Sequence, residues 1–514
     1  MRRSRIDHTG HLTSLVRLAT AATLTFIAAC SPSPAPPATS ADGTAAPRTA
    51  AASGPTLPFK LELVEVTGST LPALHSFSSA TSNGKWLIIG GRTAGLHGFG
   101  SGTNNFPRST ANTVAYVIDP ATNTVDGSVD LVAALPAKLA GPLTATNPEF
   151  VQVGTSLYIV GGYGKDLTTA QGNMTTFGSV VKVDVPGLIQ AIVNKTSITS
   201  FFAQSPESDN RLKVTGGGLG QANGTFYLAF GQDFTGDYSI ENSDYNRAGG
   251  QFQKYTEKVR IFTLASNLSI STFSQADGGY DPSLPYHRRD LNMTDIIQAD
   301  GHTPGATVYG GVFMAGQVAG HTTPIDINYT NPASPVTLQT GFHQALNQYD
   351  CARLTIFDQA SASSFTTFLG GISQYHYDSA SNVLVRDQLD LQRGVDGLPF
   401  ITTISTIQRG PAAAFSQYIQ PTPLPTWLGA DGQFLIASGV PVFDNGVIQL
   451  ASLQGRTLVG YMYGGIQSGG PYSTLVTTQP GTAASNRLFQ IYITPGATAV
   501  IAMPPLPTKT TPWP

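Results

Sequence analysis

The stretch FVQVGTSLYIVGGYG, residues 150–164, decides the fold that the sequence predicts. Its first residues favour a short strand, Gly154 begins a turn, and residues 157–160 form a continuous apolar strand. A strand that is buried on both faces need not alternate apolar and polar residues. The pair Gly161-Gly162 suits a backbone that needs a positive φ or a close approach. The stretch therefore predicts a hairpin with a buried second strand.

Five other stretches repeat this pattern of an apolar strand that ends in glycine. They are KWLIIGGR ending at Gly90-Gly91, FYLAFGQ at Gly231, VFMAGQ at Gly316, TTFLGGIS at Gly370-Gly371 and GYMYGGIQ at Gly464-Gly465. Each interval is long enough for a four-stranded unit, and a unit repeated at this spacing indicates a repeat architecture. We therefore expect an all-β, six-bladed β-propeller. Another glycine-ended strand, GQFLIASGV at residues 432–440, leaves seven blades as the alternative.

Several of the hairpins are followed by a further strand and a turn. The clearest copies are NTVAYVIDPATNTV (112–125), SVVKVDVPG (179–187), KVRIFTLASNLSI (258–270) and RLFQIYITPG (487–496). This order of glycine-ended hairpin, strand, turn and outer strand resembles the kelch motif, with Val125 at the position of its usual tryptophan. The resemblance implies a kelch-like propeller and no particular activity.

A propeller must close its ring, and the two ends of the repeat region suggest how. Residues 59–66, FKLELVEV, alternate apolar and charged side chains as a half-exposed outer strand does. We expect this strand to complete the last blade beside residues 487–493, because closure removes an exposed sheet edge.

The beginning of the chain is typical of an exported protein. Basic residues precede an apolar run at residues 18–29, which is too short to span a bilayer and predicts a signal peptide at 1–29. Cys30 stands where a bacterial lipoprotein signal places its cysteine, and this resemblance implies a lipid on Cys30. An ordinary secretory signal with an incidental cysteine is the alternative. Ser31 resembles the outer-membrane sorting choice, so we expect an outer-membrane or cell-surface location in a Gram-negative bacterium.

The remaining chain divides simply. Residues 30–58 are rich in Pro, Ala, Ser and Thr and predict a lipidated cysteine followed by a disordered spacer. Residues 59–503 form the propeller and residues 504–514 a proline-rich tail. The 28 basic and 31 acidic residues nearly balance, so the charge offers no footprint for nucleic acid.

The stretch PYHRRDLN, residues 285–292, is the strongest candidate for a site, because four consecutive polar residues stand where the fourth blade begins. In a strand of period two, His287 and Arg289 share one face, while Arg288 and Asp290 share the other. The first pair would present cations to an acidic ligand. The alternative is that both arginines join blades through Asp290 and backbone carbonyls. The predicted catalytic residues are His287, Arg289, Tyr375 and His376, and the predicted ligand-binding residues are Arg288 and Asp290.

The sequence contains two cysteines, so Cys351 has no intrachain partner if Cys30 carries lipid. We expect Cys351 to be a buried, small apolar residue. Galactose oxidase and its relatives hold copper on a similar propeller with tyrosines, histidines and a thioether-linked cysteine. This chain offers Tyr349 and the run Tyr375-His376-Tyr377 but matches none of that family's motifs, so no metal site is predicted and the cofactor is unknown. The acidic segment 232–244 is expected to be a solvated loop, with a calcium loop as the alternative.

Two functions are compatible with these features. The first is a lipid-anchored propeller that binds a glycan, peptide or protein through its long loops at residues 92–112, 163–178, 232–256 and 466–486. The second is an enzyme at the channel mouth, either a sugar isomerase similar to the sialic acid mutarotases or, further away, a copper oxidase.

Overall fold

The computed structural model describes residues 54–98, 105–238, 252–277, 285–314, 319–386, 397–472 and 481–506. The predicted signal peptide, the lipidation site and most of the spacer lie outside these ranges, as does most of the predicted tail. Within the described ranges, no helix has both the length and the apolar character needed to cross a membrane.

The strands form six antiparallel blades, as predicted. Strand β1 (Thr56–Glu65) comes first in the chain and belongs to the last blade. Blade 1 contains β2 (Ser78–Ser82), β3 (Lys85–Ile89), β4 (Val114–Asp119) and β5 (Thr124–Asp130). Two short helices follow, α1 (Leu131–Ala134) and α2 (Ala137–Leu143).

Blades 2 and 3 each carry an additional short hairpin. Blade 2 contains β6 (Glu149–Val153), β7 (Ser156–Val160), the hairpin β8 (Tyr163–Lys165) and β9 (Met174–Thr176), then β10 (Val180–Asp184), helix α3 (Val185–Val193) and β11 (Phe202–Gln204). Blade 3 contains β12 (Gly218–Ala222), β13 (Thr225–Ala229), the hairpin β14 (Gln232–Phe234) and β15 (Gln253–Tyr255), then β16 (Lys258–Leu264) and β17 (Ile270–Asp277). The apolar run at residues 186–193 thus forms a helix, which packs with α1 and α2 against the sheets of blades 1 and 2.

The remaining blades complete the ring. Blade 4 contains β18 (Asn292–Ile297), β19 (Pro304–Tyr309), β20 (Ile325–Asn328) and β21 (Val336–Leu338). Blade 5 contains β22 (Arg353–Asp358), β23 (Ser363–Leu369), the hairpin β24 (His376–Asp378) and β25 (Val383–Val385), then β26 (Ile404–Arg409) and β27 (Phe415–Ile419). Blade 6 contains β28 (Ala430–Ile436), β30 (Thr457–Ser468), β31 (Thr482–Ala484) and β32 (Leu488–Ala499), while β29 (Ile448–Gln449) and β33 (Ile501–Ala502) join the sheet of blade 5. The seventh blade does not form, because residues 430–436 are the inner strand of blade 6.

The glycine pairs join neighbouring blades. Gly161 and Gly162 have φ angles of 68° and 83°, and the amide of Gly162 donates to the carbonyl of Val214 in the next blade at 2.8 Å. A Cβ on Gly161 would lie 2.0 Å from the same carbonyl oxygen. Corresponding bonds join Gly91 to Ala145, Gly231 to Arg288, Gly371 to Leu428 and Gly465 to Leu74. The pairs are therefore an architectural feature, as the sequence predicts.

One of the predicted repeats is placed incorrectly. The buried hairpin strand of blade 4 is β19, which ends at Gly310-Gly311, both with positive φ. The predicted stretch VFMAGQ follows that pair, and Gly316 lies outside the described residues. The error arose because β19, PGATVY, is less apolar than the segment after it.

Six residues that start the inner strands form a narrow ring, here called the waist. They are Ser76, Asn147, Gly216, Asp290, Asp350 and Asp431, and all have positive φ. At five of the six junctions the amide of one waist residue bonds to the carbonyl of its neighbour, at 2.6–3.3 Å. Five of the six are glycine, asparagine or aspartate, which are enriched in this conformation.

The predicted closure of the ring is confirmed. Strand β1 pairs with β32 in antiparallel register, with Leu61 opposite Ile493 and Glu65 opposite Phe489. The first and last strands of the propeller therefore share blade 6.

Candidate functional site

A cavity of about 120 Å³ lies on the propeller axis, at one side of the waist. Each blade contributes two residues to its wall: the residue before the waist position and the residue after the glycine pair. In blades 1 to 6 these pairs are His75 and Arg92, Thr146 and Tyr163, Thr215 and Gln232, Arg289 and Val312, Tyr349 and Ile372, and Ala430 and Ile466. Because the members of the first five pairs face each other as antiparallel bridges, the fold itself positions them.

The wall has a polar side and an apolar side. Blades 1 to 3 supply Arg92, threonine hydroxyls and the amide of Gln232, together with an aromatic group made of Phe106, Tyr163, Phe234 and Tyr238. Arg289, Tyr349 and the waist aspartates add polar groups from the other three blades. Blades 4 to 6 supply an apolar cluster. Its six buried members, which all line the cavity, are Val312, Ile372, Leu398, Phe400, Ala430 and Ile466.

Arg92 is a buried cation on the polar side, with only 2% of its surface exposed. Its guanidinium donates to the Thr110 hydroxyl, and its Cζ lies 3.4 Å from the centre of the Phe106 ring. Its Nε has no hydrogen-bond partner, and no carboxylate among the described residues forms an ion pair with it. Burial lowers the pKa of Arg92 to about 10, so the side chain remains charged at neutral pH.

Arg289, the second arginine of the wall, is neutralised within the protein. Its Nη1 lies 2.6 Å from Oδ2 of Asp290, and its Nε donates to the Tyr255 hydroxyl at 3.2 Å. The ring of Phe313 lies 5.1 Å from its Cζ. Arg289 and Arg92 therefore differ in one decisive respect, since Arg289 has its own carboxylate.

A hydrogen-bonded group of acid and base side chains occupies the waist beneath the cavity. His75 Nδ1 lies 2.7 Å from the Ser76 hydroxyl and 3.2 Å from Oδ2 of Asp431, to which Ser76 donates at 2.7 Å. Burial, reinforced by Arg92, lowers the pKa of His75 to about 3. Burial and the neighbouring Asp431 raise the pKa of Asp350 well above its usual range. At neutral pH the imidazole of His75 is therefore neutral.

A larger cavity, here called the basin, lies on the other side of the waist. It has a volume of about 630 Å³ and is lined mainly by the inner strands of blades 1 to 6. Ser76, Asn147, Asp350 and Asp431 line both spaces, so the waist separates them. In the basin wall, burial raises the pKa of Glu149 to about 8, although its Oε1 accepts a bond from the Gly217 amide at 2.8 Å.

The predicted residues of blade 4 are divided between different places. Arg289 and Asp290 line the cavity, whereas His287 is buried outside its lining. The Nδ1 of His287 lies 2.6 Å from Oε1 of Glu257, and the centre of its ring lies 3.8 Å from that of Tyr255, on which it stacks. Because the Tyr255 hydroxyl accepts a bond from Arg289, His287 contacts Arg289 through Tyr255. The predicted sharing of one face by His287 and Arg289 is not observed at the cavity, because residues 285–287 form a turn and only Arg289 forms a β-bridge, to Val312.

Arg288 bonds to backbone carbonyls, as the alternative expects, but within blade 4 and not between blades. It is fully buried and donates to the carbonyls of Pro285, Gly310 and Thr323. Burial lowers its pKa to about 9.

The remaining candidates lie away from the cavity lining. Tyr375 packs in an apolar cluster with Leu346 and Leu384, and His376 begins the hairpin strand β24. Cys351 is buried, as expected, and burial raises its pKa to about 12. In the described part of the chain, no three His, Cys, Asp or Glu side chains are grouped to hold a metal ion.

Sequence reasoning missed Arg92, His75, Asp350 and Asp431. A usable signal was present, because Arg92 directly follows the glycine pair Gly90-Gly91, while the other three stand at the beginning of inner strands. Aligning the repeats on both positions would have selected one ring of cavity residues and one ring of waist residues.

Comparisons with known proteins assign this chain to no family. No family model matches the sequence, and no curated protein matches it. Among solved structures, the one titled "Structure of YjhT" aligns with 82% of this chain and 99% of its own, at 14% identity and a TM-score of 0.44. A likeness at this level carries no conclusion about function. The chain is a six-bladed β-propeller whose candidate site is the axial cavity beside Arg92.

Proposed function

We propose that the protein binds a small organic anion in the axial cavity and that Arg92 is its anchor. The observation that carries this proposal is a buried guanidinium with no carboxylate partner among the described residues. An unpaired buried charge costs several kcal/mol, and an anionic ligand would remove that cost. The planar guanidinium matches a carboxylate in bidentate geometry.

The cavity size limits the ligand. One water needs about 10–15 Å³ of cavity volume. A cavity of about 120 Å³ therefore holds about ten waters, or a ligand of about ten non-hydrogen atoms. Of the partners expected from the sequence, a single acidic sugar fits this class better than a peptide or a protein. The long loops 92–112 and 232–256 then act as cavity walls, through Leu96, His97, Phe106, Phe234 and Tyr238.

Arg92→Gln is expected to abolish binding of small carboxylates without lowering stability. Glutamine removes the charge that the ligand pairs with, and it also removes a cation whose burial is unfavourable. Calorimetric titration of the full-length chain with acetate, benzoate and inorganic phosphate measures binding, and urea unfolding measures stability.

Arg456→Gln is the matched control, because Arg456 is an exposed arginine that pairs with Glu62 far from the cavity. It should bind the same anions as the wild type. Equal binding by the wild type and Arg92→Gln, or no binding of any of these anions by the wild type, would overturn the proposal.

Acid–base catalysis on the bound anion is the second candidate function. It is favoured by His75, whose Nδ1 lies 3.2 Å from Oδ2 of Asp431 and whose ring forms part of the cavity wall. A bound anion would raise the low pKa of this imidazole toward the range that a general base needs. An imidazole oriented by a carboxylate is a common general base. His75, with Arg92 as the binding residue, would then take the role predicted for His287 and His376.

We also propose that a lipid on Cys30 anchors the protein at the bacterial surface. The support is the signal-like segment, the position of Cys30 and the spacer composition in the sequence. Cys30→Ser is expected to move the protein from the membrane fraction to the soluble fraction, measured by fractionation and lipid labelling. Cys351→Ser is the control, because it changes the other cysteine and should leave the protein membrane-bound.

A further inference from the structure

We propose that the ligand is an amphipathic carboxylate, with its carboxylate on Arg92 and an aliphatic or aromatic group against the apolar side of the cavity. This inference rests on the proposed function, namely that the cavity binds a small anion. It names the chemical class of that anion.

The first step of the argument is the division of the wall. At the positions after the glycines, blades 1 to 3 carry the polar side chains Arg92, Tyr163 and Gln232, whereas the apolar cluster comes from blades 4 to 6. The two groups occupy equivalent positions of the repeat on opposite sides of one axis. A ligand that contacts Arg92 and fills the cavity therefore extends toward the apolar cluster.

The second step concerns the polar groups that a sugar would need. At the positions after the glycine pairs, blades 4, 5 and 6 carry Val312, Ile372 and Ile466. None of these side chains donates or accepts a hydrogen bond. Hydroxyl groups placed there lose their bonds to water, which is unfavourable, whereas CH₂ or ring carbons gain from burial.

The third step is that the charged groups on the apolar half are already satisfied. Arg289 is paired with Asp290, and the Tyr255 hydroxyl accepts a bond from the same guanidinium. The cavity thus has one unpaired cation, Arg92, among its described residues. One carboxylate and one apolar group match this arrangement.

The test compares acetate, cyclohexanecarboxylate, glucuronate and inorganic phosphate by calorimetric titration of the full-length chain. Cyclohexanecarboxylate should bind about 100-fold more tightly than acetate, because each buried CH₂ contributes favourably, and more tightly than glucuronate. Ile372→Ala should weaken cyclohexanecarboxylate about tenfold and leave acetate nearly unchanged. Ile407→Ala, a buried change outside the cavity lining, should alter neither.

The outcomes separate the two proposals. If acetate and cyclohexanecarboxylate bind equally, or if glucuronate binds most tightly, the amphipathic ligand is wrong while the small-anion function stands. If none of the four anions binds, the small-anion function itself fails. The ligand series uses the wild-type chain, so the test stands even where Ile372→Ala does not fold, and Leu398→Ala then replaces it at another position of the same cluster.

Discussion

Glu149→Gln is expected to raise the free energy of unfolding by about 3 kcal/mol at pH 7 and to leave it nearly unchanged at pH 4. Glu149 is 5% exposed, and burial raises its pKa from 4.5 to about 8. A carboxyl whose pKa is raised by folding stabilises the native state fully only below pH 4.5. That contribution is lost as the pH rises toward 8, because the unfolded chain ionises first.

Glutamine should retain the favourable part of this interaction. The Glu149 Oε1 accepts a bond from the Gly217 amide, and the amide oxygen of glutamine can accept the same bond. The glutamine side chain is uncharged at every pH. The loss of stability that the ionisation of Glu149 causes between pH 4.5 and 8 should therefore be absent in the variant. Urea unfolding at several pH values measures this difference.

Glu207→Gln provides the control, since Glu207 is exposed and the substitution is chemically identical. It should change stability by no more than about 0.5 kcal/mol. If the Glu149→Gln variant is less stable than the wild type at pH 7, then Glu149 is ionised in the folded protein and the prediction is wrong.

The second large effect concerns the closing strand. Phe59→Ala is expected to lower the free energy of unfolding by about 3–5 kcal/mol, because it removes a large buried side chain. Phe59 is 1% exposed, and its ring meets that of Phe365 edge to face at 5.7 Å. This contact joins β1 to the sheet of blade 5, so the loss weakens the closure of the ring.

Deleting residues 59–66 should have a still larger effect, because it also removes the pairing with β32 and the ion pair between Glu65 and Arg487. Thermal melting and urea unfolding measure both variants. Lys60→Ala is the neighbouring control, since the Lys60 side chain is 60% exposed and points away from the core. An unchanged melting temperature after the deletion would contradict closure by β1.

The fold was predictable because its signals are local. The hairpin at residues 150–164 carries its own turn and its own buried strand, and the glycine pair follows from the backbone geometry at the blade junction. The same locality explains the error in blade 4. Strand β19 contains glycine, threonine and proline, so its hydrophobicity does not reveal the buried position between β18 and β20 that tertiary pairing assigns to it.

The site was predictable only in part, because it is assembled from distant segments. Arg289 and Asp290 were found because they are adjacent in a polar run. Arg92 and Asp431 are 339 positions apart by number, and only the closed ring places both in the cavity wall. Burial then decides their charge states, and the burial of an individual side chain cannot be read from spacing.

The backbone ring at the waist implies a division between size and chemistry. Main-chain bonds join the neighbouring inner strands, so the diameter of this aperture is set by peptide groups at most junctions. The residues at the waist are serine, asparagine, aspartate and glycine, so the side chain differs from blade to blade. Replacing one waist residue by another that tolerates a positive φ would therefore change the charge and hydrogen-bonding groups at the waist without changing its diameter. The propeller is in this sense a rigid frame whose lining can be exchanged one blade at a time.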